Sequence, residues 1–102
     1  MLRLTTLSQN GEEAVLKVEG WVAGEEVALL EEELSRQLHG GRRLVLDLKG
    51  VRFIDQAGLE VLARWSGGQL VLRGGSDFIQ ELLKAHGLSP TGQGTVPSKP
   101  ER

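Results

Sequence analysis

Leu44-Val45-Leu46-Asp47-Leu48, Lys49-Gly50, then Val51-Arg52-Phe53-Ile54-Asp55-Gln56-Ala57-Gly58-Leu59 is the stretch whose reading decides the fold. It reads as an apolar strand, a turn, an apolar continuation and a helix start. Asp55 suits the N-cap, because its carboxylate can accept from the free N–H groups of the next turn. Ile54 and Leu59 then fall at the two positions of a hydrophobic staple. The helix carries Leu59, Val61, Leu62 and Trp65 and stops at Gly67-Gly68. Glycine in a first turn costs up to about 1 kcal/mol against alanine. Gly58 therefore implies close approach of another backbone, either this chain's own sheet or a partner.

Downstream, Gln69 to Arg73 reads as a strand and Gly74-Gly75 as a turn. Ser76 caps a last helix over Asp77 to His86, and Gly87 with Leu88 fits a Schellman ending against Leu83. Upstream, Leu2 to Leu7 is a strand, and Asn10-Gly11 a hairpin turn, since both residues tolerate positive φ. Ala14, Leu16 and Val18 alternate as one face of a second strand. Gly20 to Gly24 is a connection holding Trp21, which is either a lid over the core, the preferred reading, or an aromatic anchor for a partner. Over Glu25 to Leu38, the stripe Val27, Leu30, Leu34 and Leu38 predicts a helix. Glu25 and Glu26 complement the dipole in its first turn, Glu32 and Arg36 are spaced for an ion pair, and Gly40-Gly41 ends it. The order β, β, α, β, α, β, α predicts an α/β fold: a four-stranded mixed sheet covered by three helices.

All three prolines lie in residues 89–102, where Val96 is the sole aliphatic side chain. Such a composition predicts a flexible tail after a single folded unit over residues 1–88. Without cysteine, disulfides and thiolate metal sites are excluded. His39 and His86 stand at helix C-termini, where positive charge suits the dipole, and suggest no metal cluster. A net charge of −2, with Arg42, Arg43, Arg52 and Arg64 scattered, argues against nucleic acid. No apolar run is long enough to span a membrane, and the start lacks a signal-peptide core. The expected location is the cytoplasm, with no direct membrane insertion.

The run from Leu44 to Leu59 resembles the central signature of the STAS family, the anti-sigma-factor antagonists and their relatives. The ending Gln69-Leu70-Val71-Leu72 … Phe78-Ile79-Gln80-Glu81-Leu82-Leu83 … Gly87-Leu88 is similar to the family's last strand and closing helix, so the resemblance covers residues 1–88. It implies a STAS-type sheet and a domain that binds proteins rather than an enzyme. In the antagonist branch, an unmodified domain binds an anti-sigma factor that is also a serine kinase, and phosphorylation of a serine just before the Gly releases it. Ala57 stands at that serine's position and Gln56 precedes it, so neither can take a phosphoryl group. The short second helix also departs from the antagonists. Asp55-Gln56-Ala57-Gly58-Leu59 is similar, too, to the Asp-x-Ala-Gly-Leu of small STAS subunits that dock on the ATPase of phospholipid-transport ABC systems, with Gln56 in place of their Thr.

The expectation is a non-catalytic, cytoplasmic interaction module. Its contact surface is Asp55, Gln56, Ala57, Gly58, Glu60 and Arg64, with Ala57 marking a lost phosphorylation switch. The partner implied is an anti-sigma factor resembling a serine kinase or, alternatively, an ABC ATPase subunit. A reading of another class makes the helix start a small-molecule, anion or nucleotide sensor through its free N–H groups, though Asp55 competes for them. Asp47 could pair with Asp55 as a carboxylate couple, but a structural role is preferred, since nothing supplies a nucleophile or metal. No cofactor or metal is expected, and a homodimer is compatible with the sequence.

Overall fold

Alternation along residues 13–22 builds the central element of the sheet. The computed structural model describes residues 1–90. The expected tail lies outside the described residues except for Ser89 and Pro90. Strand β1 (Leu2–Gln9) pairs antiparallel with β2 (Glu13–Val22) through the Asn10-Gly11 turn. There the Asn10 side-chain oxygen accepts from the N–H groups of Glu12 (2.7 Å) and Glu13 (2.8 Å). A short 3-10 turn at Gly24–Glu26 leads into α1 (Val27–His39). Then follow β3 (Arg43–Ile54), α2 (Gln56–Trp65), β4 (Leu70–Arg73) and α3 (Asp77–Ala85). The sheet order is β1-β2-β3-β4, with β2, β3 and β4 mutually parallel.

The helices cover one face. Ala14, Leu16 and Val18 of β2 and Leu44, Leu46 and Leu48 of β3 form one buried cluster with Leu30, Leu34, Leu59, Leu62, Ile79 and Leu83. Val45 is buried but stands outside that cluster, on the other face. The two ends expected of α3 are present. Ser76 Oγ accepts from the Ile79 N–H (3.2 Å). The Leu88 N–H donates to the Leu83 carbonyl and the Gly87 N–H to that of Lys84, both at 2.9 Å, with Gly87 at φ +78°. That is the Schellman pairing.

Four local readings change. Lys49-Gly50 is no turn: β3 runs through it, with register shifts around it and at Arg52. Gly50 permits this because Glu19 lies over it; an added Cβ would sit 2.8 Å from Glu19 Cγ. Trp21 belongs to β2 rather than to a connection, because pairing with Phe53 extends the strand to Val22. It is half exposed and packs against Phe53 (centroids 6.1 Å apart), on the face away from the core cluster. It is therefore no lid over the core. Glu25 and Glu26 sit in the 3-10 turn, which precedes the α-helix proper. Finally, Arg36 pairs with Glu33 (2.6 Å), one turn back at i−3, and not with Glu32.

Candidate functional site

Strand β3 ends at Ile54, and the chain turns into α2 through Asp55 in an extended conformation. Every hydrogen-bonding group of Asp55 has a partner. Its N–H donates to the Val22 carbonyl (3.0 Å), and its carbonyl accepts from the Leu59 N–H (2.9 Å). Oδ1 accepts from the Gly58 N–H (2.8 Å) and Oδ2 from the Gly24 N–H (2.9 Å). The first carboxylate bond is the expected N-cap. The second was not legible in the sequence, because nothing in it pairs Gly24 with a residue 31 positions away. One side chain thus fastens the loop after β2 to the start of α2.

Two alternatives bear on the same residues. Asp47 accepts from the Lys49 N–H (3.0 Å) and from Arg73 (3.3 Å), so its role is structural and it forms no couple with Asp55. The Gly58 N–H, one of those available to an anion at a helix start, is already held by a carboxylate.

Gly58 is buried, and an added Cβ would lie 2.9 Å from Ile54 Cγ2, Val22 Cγ1 and the Val22 carbonyl oxygen. The backbone it approaches is that of this chain's own sheet. Gly58 therefore seats α2 against β2 and is buried there. Ile54 and Leu59 are both buried, as the staple requires. Gln56, Ala57, Glu60 and Arg64 are exposed. Gln56 Nε2 donates to Glu60 Oε2 (3.0 Å), and Arg64 bonds Glu31 of α1. Ala57 stands exposed on this stripe.

A second set of residues was missed. Buried Gln37 donates to Glu33 Oε2 (2.9 Å) and accepts from Arg42 (2.9 Å), whose Nε reaches the Asn10 carbonyl (2.9 Å). This chain of bonds ties the end of α1 to the first hairpin, at the opposite end of the sheet from Asp55. Burial works to raise the Glu33 pKa, but hydrogen bonds from Arg36 and Gln37 and the charge of Arg36 outweigh it and hold the carboxyl below its usual range. An amide at a polar helix position gave no signal for this network.

Residues 5–90 match the family model described as "Mlab, STAS domain". The chain belongs to the STAS domain family. Among solved structures, it is similar to the anti-sigma factor antagonist SpoIIAA in its unphosphorylated form, with TM-score 0.66, 13% identity, and 92% of this chain and 90% of that one covered. An anti-sigma factor antagonist from Mycobacterium paratuberculosis is similar at TM-score 0.61 and 24% identity, covering 89% of this chain and 87% of that one. At such identities, these likenesses speak for the fold. Comparison with curated proteins gives no match. No described helix is long and apolar enough to cross a membrane.

Proposed function

We propose that this chain is a non-catalytic, cytoplasmic STAS module resembling the anti-sigma-factor antagonists, and that it binds a regulatory protein through the start of α2. The observation that supports this is the Asp55 clamp. One loop and the start of a helix are fixed by one carboxylate, while Gln56, Ala57, Glu60 and Arg64 are left exposed above it. A surface ordered before binding loses little entropy on contact. Asp55 and Gly58 act as supports, and the exposed four make the contact. With Ala57 at the phosphoserine position, the surface stays in the state that switchable relatives hold only when unmodified.

A second reading, an accessory subunit docked on an ABC ATPase, is favoured by Ala57 within Asp55-x-Ala-Gly58-Leu59. The matching family model is also described by Mlab rather than by an antagonist. Both readings use one surface and differ in partner. Affinity capture from the native cells, wild type beside Ala57→Glu, tests them. The glutamate puts charge where relatives carry phosphate, at an exposed first-turn position that the helix dipole tolerates. A partner lost with Ala57→Glu supports the surface, and its identity as an anti-sigma factor or an ATPase chooses the reading. A partner kept equally by both proteins places the contact elsewhere.

A further inference from the structure

Away from α2, the uncovered face of the sheet carries a composition that a solvated face does not need. All-parallel sheets are nearly always covered on both faces; in this mixed sheet the described residues cover β2, β3 and β4 on one. At the strand ends of that open face, Trp21 (51% exposed) packs on Phe53, and Phe53 stacks on Phe78 (53% exposed) with centroids 6.4 Å apart. Three adjoining aromatics, two of them half in water, are typical of contact anchors.

The charges beside them are one-sided. Each acid on the open face of the strands has an internal cation: Glu13 with Arg43, Glu19 with Lys17, and Asp47 with Arg73. Arg3, opposite Glu19 in the register, has no ion pair among the described residues. Neither has Lys49, beside Asp47 and Arg73, nor Arg52, the extra residue of β3 just before Phe53. Asp77 stands in the first turn of α3, where the dipole favours it, and Glu25 in the 3-10 turn before α1. Among the described residues, three cations at this face, Arg3, Lys49 and Arg52, are therefore without an ion pair, on a chain whose net charge is −2.

We propose that this face is a second docking surface, and that its occupant is an acidic segment of a protein partner. Apolar side chains of the segment seat on Trp21, Phe53 and Phe78, and its carboxylates meet Arg3, Lys49 and Arg52. Three free cations are too few to follow a nucleic-acid backbone, whose binding rests on many phosphate contacts. The neighbouring Val15, Val45 and Val71, in register across β2, β3 and β4, suit an apolar peptide face better than bases. This surface is independent of the one at Asp55.

The test uses the full chain and a phage-displayed library of random 16-residue peptides. The expected result is enrichment of sequences combining Asp or Glu with large apolar residues. Affinity for a recovered peptide should fall at least about tenfold in Trp21→Ser, as for a central anchor, and severalfold in the double variant Lys49→Glu/Arg52→Glu. The double variant changes only exposed side chains, so it reads the surface even if Trp21→Ser unfolds. Ala57→Glu should bind unchanged. No enrichment, peptides without acidic bias, or peptides retained by the double variant would overturn the proposal. So would preferential binding of labelled oligo(dT), which points to nucleic acid, or a dimer that Trp21→Ser dissociates, which points to a second copy.

Discussion

Helices α2 and α3 start alike and are used differently. Each opens on an N-cap side chain that accepts from the N–H three residues on: Asp55 from Gly58 at 2.8 Å, Ser76 from Ile79 at 3.2 Å. At that third position, α3 has Ile79, fully buried against the sheet, while α2 has Gly58, whose bare backbone rests on Val22. The serine has one oxygen and caps only its own helix. The aspartate has two, and the second holds Gly24 in the neighbouring loop. A start that serves only packing fills its first turn with a side chain. The start of α2 gives up that side chain, gains closer seating on β2, and keeps its outer stripe exposed.

The comparison can be broken in steps. Ile79→Ala should cost the most, about 2–5 kcal/mol for a buried aliphatic truncated to a cavity. Thermal unfolding should show this, with about 4–8 °C lost per kcal/mol in a domain of this size. Binding at α2 should persist wherever the protein remains folded. Gly58→Ala should cost about 1–3 kcal/mol, because the new methyl meets backbone as well as side chains and relief requires a shift of the helix. A Gly58→Ala protein as stable as wild type would show that α2 is not seated on β2 as described. Asp55→Ala should cost about 1–2 kcal/mol, the upper range for a cap, and Ser76→Ala about half that. The sharper difference is in amide exchange: Asp55→Ala should speed exchange at Gly24, across the loop, whereas Ser76→Ala should affect only its own helix start.

The smallest expected effect lies at the opposite end of the molecule. Glu33 has a folded-state pKa below its ordinary value of 4.5. Its contribution to stability is therefore fully present above the unfolded pKa and is lost as pH falls through the folded value. Wild type should lose slightly more stability than Glu33→Gln on titration from neutral pH into the acid range. An equal loss of unfolding free energy by the two proteins, from denaturant titrations at neutral and at acid pH, would remove Glu33 from the account.

Much of this was legible in the residues because local rules and tertiary packing agree. Asp55, Ser76 and Gly87-Leu88 each carry a cap chemistry with one structural solution, and the stripe Val27, Leu30, Leu34 has one buried face; the Asn10-Gly11 turn is where it was expected, but it is held by the Asn10 side chain and not by a positive φ at Gly11. What could not be read were contacts between residues far apart in sequence. The bond from Gly24 to Asp55, the chain from Gln37 through Arg42 to Asn10, and the stack of Trp21, Phe53 and Phe78 all depend on strand register. Trp21 misled because glycines at 20 and 24 imitate a loop, while its true partner, Phe53, is supplied by β3. Gly58 announced close approach, but only the packed sheet shows whose backbone is approached.

The claim at the centre is that the exposed start of α2, with Ala57 upon it, is where a protein partner binds. The most direct measurement is the affinity of the captured, purified partner for wild type, Ala57→Glu and the remote charge change Lys84→Glu, each checked for an unchanged melting temperature. The account predicts a loss of at least about tenfold for Ala57→Glu, the cost expected of a charge forced into a contact centre, and no loss for Lys84→Glu. Equal affinity for wild type and Ala57→Glu would contradict it.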